Sequence, residues 1–471
     1  MFGKTGRAAT TYIVLAALNR AVAMLILPFV SHAITPAELG AATTVGATSL
    51  FVVALLATPL DSLVVYAAPR DGEEPQALLR FVGLYCQFFI PALMIIVAAI
   101  FAVFVPELLG ISGKIWAIEL VSIGMVPAMS VFALPYVKVT QNLRKFVALA
   151  LTSVLVLAIS KLVLVVGLHL GVLGWVISDL ISTTSAAMMA LLLVHLPRAR
   201  ISTVHLKKAA GFALPIIPHT LSLWAITSLS RPALALVSNL QQVGYLAIGM
   251  TVSSGSMIFV GELNRSVQPR FSQETFPAPT AKTFTPVRLL MIAATAVPAA
   301  AGCVMVLLGP WIFAEPFWPA FKLSGILLAG QAIYGFYAIS LNYLVLTAGI
   351  TKFNAVATGS GALVVITVAF LLGARYGALG VAYGMAAGYL TMAVVAVFLT
   401  KVAGLDIRPS AWRSCWPEII LPAAALAVVV LALAEPAKSD AGRAMALASI
   451  CLLAVTAVLF VRRDRSPAQV A

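Results

Sequence analysis

TTYIVLAALNRAVAMLILPFVSHAITPAELG, residues 10–40, is the stretch that decides the fold of this chain. Its apolar run is long enough to cross a bilayer, because about 20 helical residues rise roughly 30 Å. Arg20 falls near the middle of the run, where a guanidinium stays charged and costs roughly 2.5–3.5 kcal/mol to insert. We therefore expect Arg20 to face water or a fixed partner rather than lipid. The alternative is a structural arginine bound to backbone carbonyls or to a buried acid.

The composition agrees with a membrane protein. Of the 471 residues, 62% are hydrophobic and 10% are charged, whereas soluble proteins carry about 25% charged residues. The net charge of +14 would suggest nucleic acid in a soluble chain, but here we assign the cations to loops that orient the helices and expect no nucleic-acid partner. The four cysteines are scattered without a CxxC spacing, and no phosphate-binding glycine loop is present. The sequence therefore predicts an all-α polytopic membrane protein without a metal or cofactor.

Hydropathy predicts about 14 transmembrane helices. They lie near 8–33, 39–67, 81–104, 115–136, 146–168, 172–195, 209–236, 243–267, 287–313, 323–346, 354–374, 378–400, 417–434 and 444–461. About 22 of the 30 Lys and Arg residues fall at the termini and in the even-numbered connections, against about 5 on the other side. This asymmetry predicts that both termini are cytoplasmic.

The sequence contains an internal repeat of six spans. Short patterns recur roughly 205 residues later: Pro28, Leu39 and Gly40 as Pro232, Val243 and Gly244; Tyr136, Thr140, Lys145 and Phe146 as Tyr343, Thr347, Lys352 and Phe353; Gly171, Leu173 and Gly174 as Gly377, Leu379 and Gly380. Six is an even number, so the two halves have the same orientation in the membrane. We therefore predict an N-terminal lobe over 1–200, a C-terminal lobe over 201–403 and two appended spans over 404–471.

Four short motifs carry a resemblance to a known family: TPAELG after the first span, QQVGYLAIG at the start of the eighth, QPRF at its end and YGALGVAYG between spans 11 and 12. Over roughly residues 8–400 the chain resembles the polysaccharide-type, Wzx-like members of the MOP flippase superfamily, bacterial exporters of lipid-linked oligosaccharides. The resemblance implies two six-helix bundles that form a V, with spans 1, 2, 7 and 8 lining the cleft. It also implies a bacterial inner membrane. This family often has an acid before the arginine of span 7, where this chain has Ser230, so Arg231 lacks that local counter-ion.

Charge inside spans indicates where a wet cavity lies. Arg20, Asp61, Arg231, Glu262 and Arg265 are all on the spans that the resemblance assigns to the cleft. Span 7 also places Thr220, Trp224, Thr227 and Arg231 on one helical face. We predict a substrate-binding set of Arg20, Arg231, Trp224, Thr227 and Asn19. A helix-packing seam of small polar residues is the alternative for the span 7 face.

Two further charge relationships follow from position. Lys161 and Asp179 lie at equal depth on spans 5 and 6, so we predict a structural ion pair within the N-terminal lobe. Asp61 and Arg265 occupy equivalent ends of repeat-related helices with opposite charge, and we predict that they form a gate at the cytoplasmic mouth. Glu262, one turn before Arg265, is counted with this gate, although a local pair of Glu262 and Arg265 is the alternative.

These features favour a transporter over an enzyme, because no catalytic grouping is found among the five histidines and the short loops. The leading interpretation is a flippase that moves a polyprenyl-diphosphate-linked oligosaccharide from the cytoplasmic to the outer leaflet by alternating access. An arginine side chain can donate two parallel hydrogen bonds to the oxygens of a diphosphate. The alternatives are a drug/cation antiporter of the same superfamily and a membrane glycan polymerase or ligase. Expected partners are the lipid-linked glycan, membrane lipid, and a glycan polymerase or glycosyltransferases. Whether H+ or Na+ drives transport stays open.

Overall fold

A computed structural model describes residues 22, 24–274, 281–405 and 416–464 of the chain. Apart from one antiparallel pair of two-residue strands, β1 (Glu107–Leu108) and β2 (Ile111–Ser112), these residues form helices, turns and bends. The chain divides into two compact units, one up to Gly244 and one from Tyr245 onward. The prediction of an all-α polytopic membrane fold is therefore confirmed.

Among the described residues of the first unit, 24–31 are helical, and six long helices and one short one follow them. These are α1 (Pro36–Leu56), α2 (Asp61–Ala67), α3 (Glu73–Phe104), α4 (Gly113–Val139), α5 (Leu143–Gly167), α6 (Gly171–Leu193) and α7 (Thr203–Val237). A 3-10 turn at Thr58–Leu60 separates α1 from α2, because Pro59 cannot donate a backbone hydrogen bond within a helix. Single π-helical turns interrupt α3 at Tyr85–Phe89, α4 at Ala128–Ala133, α5 at Leu162–Gly167 and α7 at Ala225–Leu229.

Among the described residues, the second unit contains the seven helices that follow. They are α8 (Leu240–Phe271), whose first turn still belongs to the first unit, α9 (Ala281–Ile312), α10 (Ala320–Thr347), α11 (Lys352–Tyr376), α12 (Ala378–Val402), α13 (Trp416–Ala434) and α14 (Asp440–Asp464). Helix α10 ends in a π-helical turn at Tyr343–Thr347. The predicted lobes, 1–200 and 201–403 with 404–471 appended, stay a prediction.

Within the described residues, 12 helices are long and apolar enough to cross a membrane. Helix α13 is a shorter apolar helix, and most of the first predicted span lies outside the described residues. Helices α3–α14 correspond one by one to predicted spans 3–14, while α1 and α2 together cover the second. The total of fourteen stays a prediction.

Side chains that start helices explain two of the motifs. In TPAELG, Thr35 caps α1: its hydroxyl accepts from the backbone N–H of Glu38 (3.3 Å), and the Glu38 carboxylate accepts from the Thr35 N–H (2.8 Å). This is a reciprocal capping box, and Pro36 occupies the first helical position, where no N–H is needed. Before QQVGYLAIG, the Asn239 side chain accepts from the Gln242 N–H (3.0 Å).

Two equivalent glycines of the sequence repeat have the same backbone geometry. Gly171 and Gly377 have φ of 55° and 59°, a region that side chains disfavour. Three residues further on, a Cβ on Gly174 would lie 2.8 Å from the Leu164 carbonyl oxygen, and one on Gly380 would overlap the Leu372 carbonyl. Both helical hairpins therefore turn sharply and pack backbone against backbone, which only small residues allow.

The apolar surface is distributed as expected in lipid. Large hydrophobic side chains stay exposed on most of the long helices, including Phe104 of α3, Leu192 of α6 and Trp311 of α9. Inside the first unit, the core packs Leu79 and Cys86 of α3 against Phe132 of α4 and Ala190 of α6. Many of the long helices thus bury one face in protein and leave another that suits acyl chains.

A buried ion pair connects α9 and α13 within the second unit. The Arg288 guanidinium of α9 donates from both Nε and Nη2 to the Glu418 carboxylate of α13, with Nη2 2.8 Å from Oε1. Both side chains are more than nine-tenths buried, and the Phe460 ring of α14 lies 4.6 Å from the Arg288 Cζ. Hydropathy alone did not indicate this pair, because both residues lie at span ends.

Candidate functional site

One face of α7 is hydrogen-bonded to α1 inside the first unit. The Thr220 hydroxyl donates to the Ala54 carbonyl oxygen (2.9 Å), and the Trp224 indole N–H donates to the Ala47 carbonyl oxygen (2.9 Å). The Trp224 ring also packs edge-on against Phe51, with centroids 5.0 Å apart. Ala54 is in the last turn of α1, where carbonyls lack a helical partner, so Thr220 satisfies a group that would otherwise stay unpaired.

The structure therefore gives this face of α7 the packing role that was the alternative interpretation. Trp224 is half-buried and its N–H is already occupied, which leaves only its ring to contact a substrate. Thr227 is exposed and donates its hydroxyl to the Leu223 carbonyl (2.8 Å) within its own helix. Substrate binding by Trp224 and Thr227 stays a prediction.

Arg231 differs from its neighbours on α7. Its Nε atom is buried and finds no hydrogen-bond acceptor among the residues that the structure describes. Arg231 stands directly after the π-helical turn Ala225–Leu229 and before Pro232, where the regular helix is interrupted. Such interruptions are frequent at functional sites. A permanently charged donor without an acceptor is a ready binding point for an anion.

The structure brings Lys161 and Asp179 together. The Lys161 ammonium lies 3.0 Å from Asp179 Oδ1 and 3.4 Å from the centroid of the Trp175 ring. Its side chain is 9% exposed and that of Asp179 is 21% exposed. Both residues lie in the first unit. Their contact is the one that equal depth on neighbouring spans led us to expect.

Sequence reasoning missed a third charged residue near this pair, Glu119 of α4. It lines the same cavity as Asp179 and is 3% exposed. The signal was available: an acid within the apolar stretch IWAIELVSI is as costly in a membrane as Arg20.

The predicted gate residues have local partners. Arg265 Nη1 binds Glu262 Oε1 at 2.7 Å, one turn apart on α8. Asp61, at the start of α2, accepts a hydrogen bond from the Ser62 hydroxyl (2.8 Å). Asp61 belongs to the first unit and Arg265 to the second, and the gate stays a prediction.

Two predicted substrate residues, Asn19 and Arg20, lie outside the described residues. Among the described residues, no group of three or more His, Cys, Asp or Glu side chains could hold a metal ion. Among the described cations of the first unit, Arg231 has a buried nitrogen without a hydrogen-bond acceptor.

Comparison with solved structures shows which known folds this chain resembles. The chain is similar to the lipid II flippase MurJ in an inward closed conformation, with a TM-score of 0.67, 16% identity, and coverage of 96% of this chain and 98% of that one. It is also similar to an inward-facing multidrug resistance MATE transporter of the MOP superfamily (TM-score 0.55, 13% identity, 82% and 94% covered). A third similar structure is the MATE multidrug transporter DinF-BH in complex with R6G (0.54, 16%, 84% and 93%).

These similarities show that the chain shares its fold with the lipid II flippase and with the MATE transporters. No protein-family model matches the sequence, and no curated protein sequence matches it either. At sequence identities of 13–16%, the structural similarity establishes the fold. Which substrate the chain binds depends on its own side chains.

Proposed function

We propose that this protein is a flippase that moves a polyprenyl-diphosphate-linked oligosaccharide across the membrane by alternating access. The observation that carries the proposal is the extent of the structural match. The lipid II flippase covers 96% of this chain, whereas the MATE transporters cover 82–86%. The fuller match supports a flippase-like architecture over a drug transporter.

The chemistry of Arg231 fits this substrate class. A lipid-linked diphosphate needs cationic donors inside the membrane, because its charge cannot enter hydrocarbon unaided. The Arg231 Nε is buried and has no acceptor among the described residues, so a phosphate oxygen can take that position. Each charge-assisted hydrogen bond contributes roughly 1.5–3 kcal/mol, which holds an anion without trapping it.

Arg20 completes the proposal from the sequence. It lies near mid-depth of the first predicted span, while Arg231 lies near the outer end of span 7. We infer that a diphosphate entering from the cytoplasm meets Arg20 first and Arg231 later, with Asn19 beside the first position. Arg20→Ala should abolish transport while the protein still inserts, because removing a charge lowers the insertion cost. Arg20→Lys keeps the charge but loses the paired hydrogen bonds that a guanidinium can donate, so it should impair transport partially.

A drug/cation antiporter is the second candidate, since two MATE multidrug transporters share the fold at TM-scores of 0.54–0.55. That function needs a carboxylate in the transport pathway, and in span 1 the sequence offers Asn19 and Arg20 instead. A positively charged pathway favours an anionic substrate. The flippase is therefore the better-supported function.

Reconstitution distinguishes the two candidates. Purified protein in liposomes should expose a fluorescent NBD-labelled polyprenyl-diphosphate oligosaccharide to a membrane-impermeant reductant faster than empty liposomes do. Parallel liposomes should be tested for uptake of the cation R6G. Flipping of the labelled lipid without R6G transport supports the proposal. R6G transport without flipping would replace it with the antiporter.

The Arg20→Ala variant belongs in the same assay, with its membrane abundance measured beside its activity. If Arg20 were instead structural, removal of its charge would strand a buried acid and reduce abundance. Full flipping by an abundant Arg20→Ala protein would overturn the substrate role of Arg20.

A further inference from the structure

A partly open cavity of about 260 Å³ in the first unit is lined by residues of α1, α4, α5 and α6, and most of its lining is apolar. Glu119 and Asp179 line it together with four hydroxyl groups, those of Ser122, Ser153, Ser182 and Thr183. Gly46 of α1 also lines it, and the absence of a side chain there leaves room beside Glu119: an added Cβ would lie 3.5 Å from Glu119 Oε1. The two acids of the cavity therefore stand on α4 and α6, while α1 contributes Gly46 and Leu50.

Glu119 is the unusual group in this cavity. The residue is 3% exposed, and its Oε2 atom finds no hydrogen-bond partner among the described residues. An ionised carboxylate in such a place would keep a desolvated charge with an unsatisfied oxygen, which is among the most expensive arrangements in a protein. A carboxyl that carries a proton avoids that cost.

The charges that face Glu119 leave one negative charge unbalanced. On α6, Asp179 is already paired with Lys161 of α5, with Nζ 3.0 Å from Oδ1. Helices α1 and α3 also pack against α4, and of their described residues none that lines this cavity is charged. Two acids and one base leave a net charge of −1, which a single added proton neutralises.

We propose that Glu119 is a proton-binding site and that the proton it takes up and releases is the ion coupled to the transport described above. The coupling role rests on the proposed function; the binding of the proton does not. In the structure described here Glu119 is the neutral acid. Access of water to the buried carboxyl allows it to ionise, and the proton passes to the aqueous phase with no change in any other covalent bond.

The surroundings favour a proton over a sodium ion. A sodium ion at this site would have to share Asp179 with a cation that is already bound to it. The Lys161 ammonium already occupies one Asp179 oxygen, and its charge repels a second cation.

Infrared spectroscopy of the purified full-length protein tests the site directly, because a protonated carboxyl has a carbonyl band that a carboxylate lacks. The wild type should show such a band, which disappears as the pH is raised. Glu119→Gln should lose that band, and Glu119→Asp should retain a titrating one. Glu73→Gln is the matched control, since Glu73 is an exposed acid of the same unit. It should leave the band unchanged.

Three outcomes would overturn parts of the inference. An unchanged band in Glu119→Gln would refute the proton site and leave the flippase proposal standing. Loss of the wild-type band on adding NaCl at constant pH would assign the site to sodium instead. The coupling would be refuted if the Glu119→Gln variant flipped the labelled lipid in liposomes at the wild-type rate and with the wild-type pH dependence. If the wild type does not flip the lipid at all, the proposed function fails, while the infrared result still decides the proton site.

Discussion

Gly40 and Gly244 lie backbone against backbone where α1 meets the first turn of α8. A Cβ added to Gly40 would overlap the Leu240 carbonyl and lie 3.0 Å from the Gly244 nitrogen, and one added to Gly244 would overlap the Pro36 carbonyl. These glycines belong to the TPAELG and QQVGYLAIG motifs and occupy equivalent positions of the sequence repeat. The motifs therefore mark a close helix contact, which only the smallest residue permits.

Gly40→Ala and Gly244→Ala should each destabilise the protein. The clash is with backbone atoms, which cannot swing away as a side chain can, so overpacking of about 1–3 kcal/mol or more is expected. Gly211→Ala is the control, because no atom within 4 Å would meet the added methyl group on α7. Thermal melting in detergent, followed by size-exclusion chromatography, measures the difference. Equal melting temperatures for Gly40→Ala and Gly211→Ala would contradict the close contact.

Breaking the Lys161–Asp179 pair should reduce the amount of folded protein. Removing one partner of a buried ion pair typically costs about 3–5 kcal/mol, because the other charge is left without compensation. Lys161→Asp or Asp179→Lys alone should lower membrane abundance, and the double exchange should restore part of it. Arg443→Ala is a useful control, since Arg443 pairs at 3.6 Å with a fully exposed Asp440. Equal damage in both single variants and the double variant would exclude the pair.

Arg231 should matter for transport more than for stability. Arg231→Ala removes a buried donor that has no acceptor among the described residues, so the variant should remain abundant. Loss of one charge-assisted hydrogen bond, roughly 1.5–3 kcal/mol, corresponds to a rate or affinity decrease of about tenfold to a hundredfold. Arg231→Lys should fall in between. The liposome flipping assay measures this, with the exposed Arg375→Ala as control. Degradation of Arg231→Ala would instead indicate a structural arginine.

The pair of Arg288 and Glu418 should hold α13 on the second unit. Glu418→Ala leaves a buried guanidinium without its carboxylate and should lower the melting temperature strongly. Replacing both residues by leucine removes both charges and should be tolerated better than the single change. Glu435→Ala, at an exposed position just after α13, should have little effect. A double leucine variant no more stable than Glu418→Ala would mean that the pair does not act as a unit.

Local properties of the sequence determined much of this protein. Hydropathy placed spans 3–14 close to the helices α3–α14, because a bilayer requires long apolar helices whatever their neighbours are. Equal depth on consecutive antiparallel helices was enough to predict that Lys161 and Asp179 would meet. The cap at Thr35 and the turn at Gly377 likewise depend on residues next to each other in the chain.

Only the tertiary structure decided which polar groups find partners. Trp224 donates to a carbonyl 177 residues away, and Arg288 binds a carboxylate 130 residues away. Glu119 has an oxygen without a partner among the described residues, although its sequence neighbours resemble those of any apolar helix. The physical reason is that helical periodicity fixes which residues share a face, but not which face meets which. In a chain this apolar many pairings satisfy hydropathy equally well, and the satisfaction of buried polar groups depends on the one that forms.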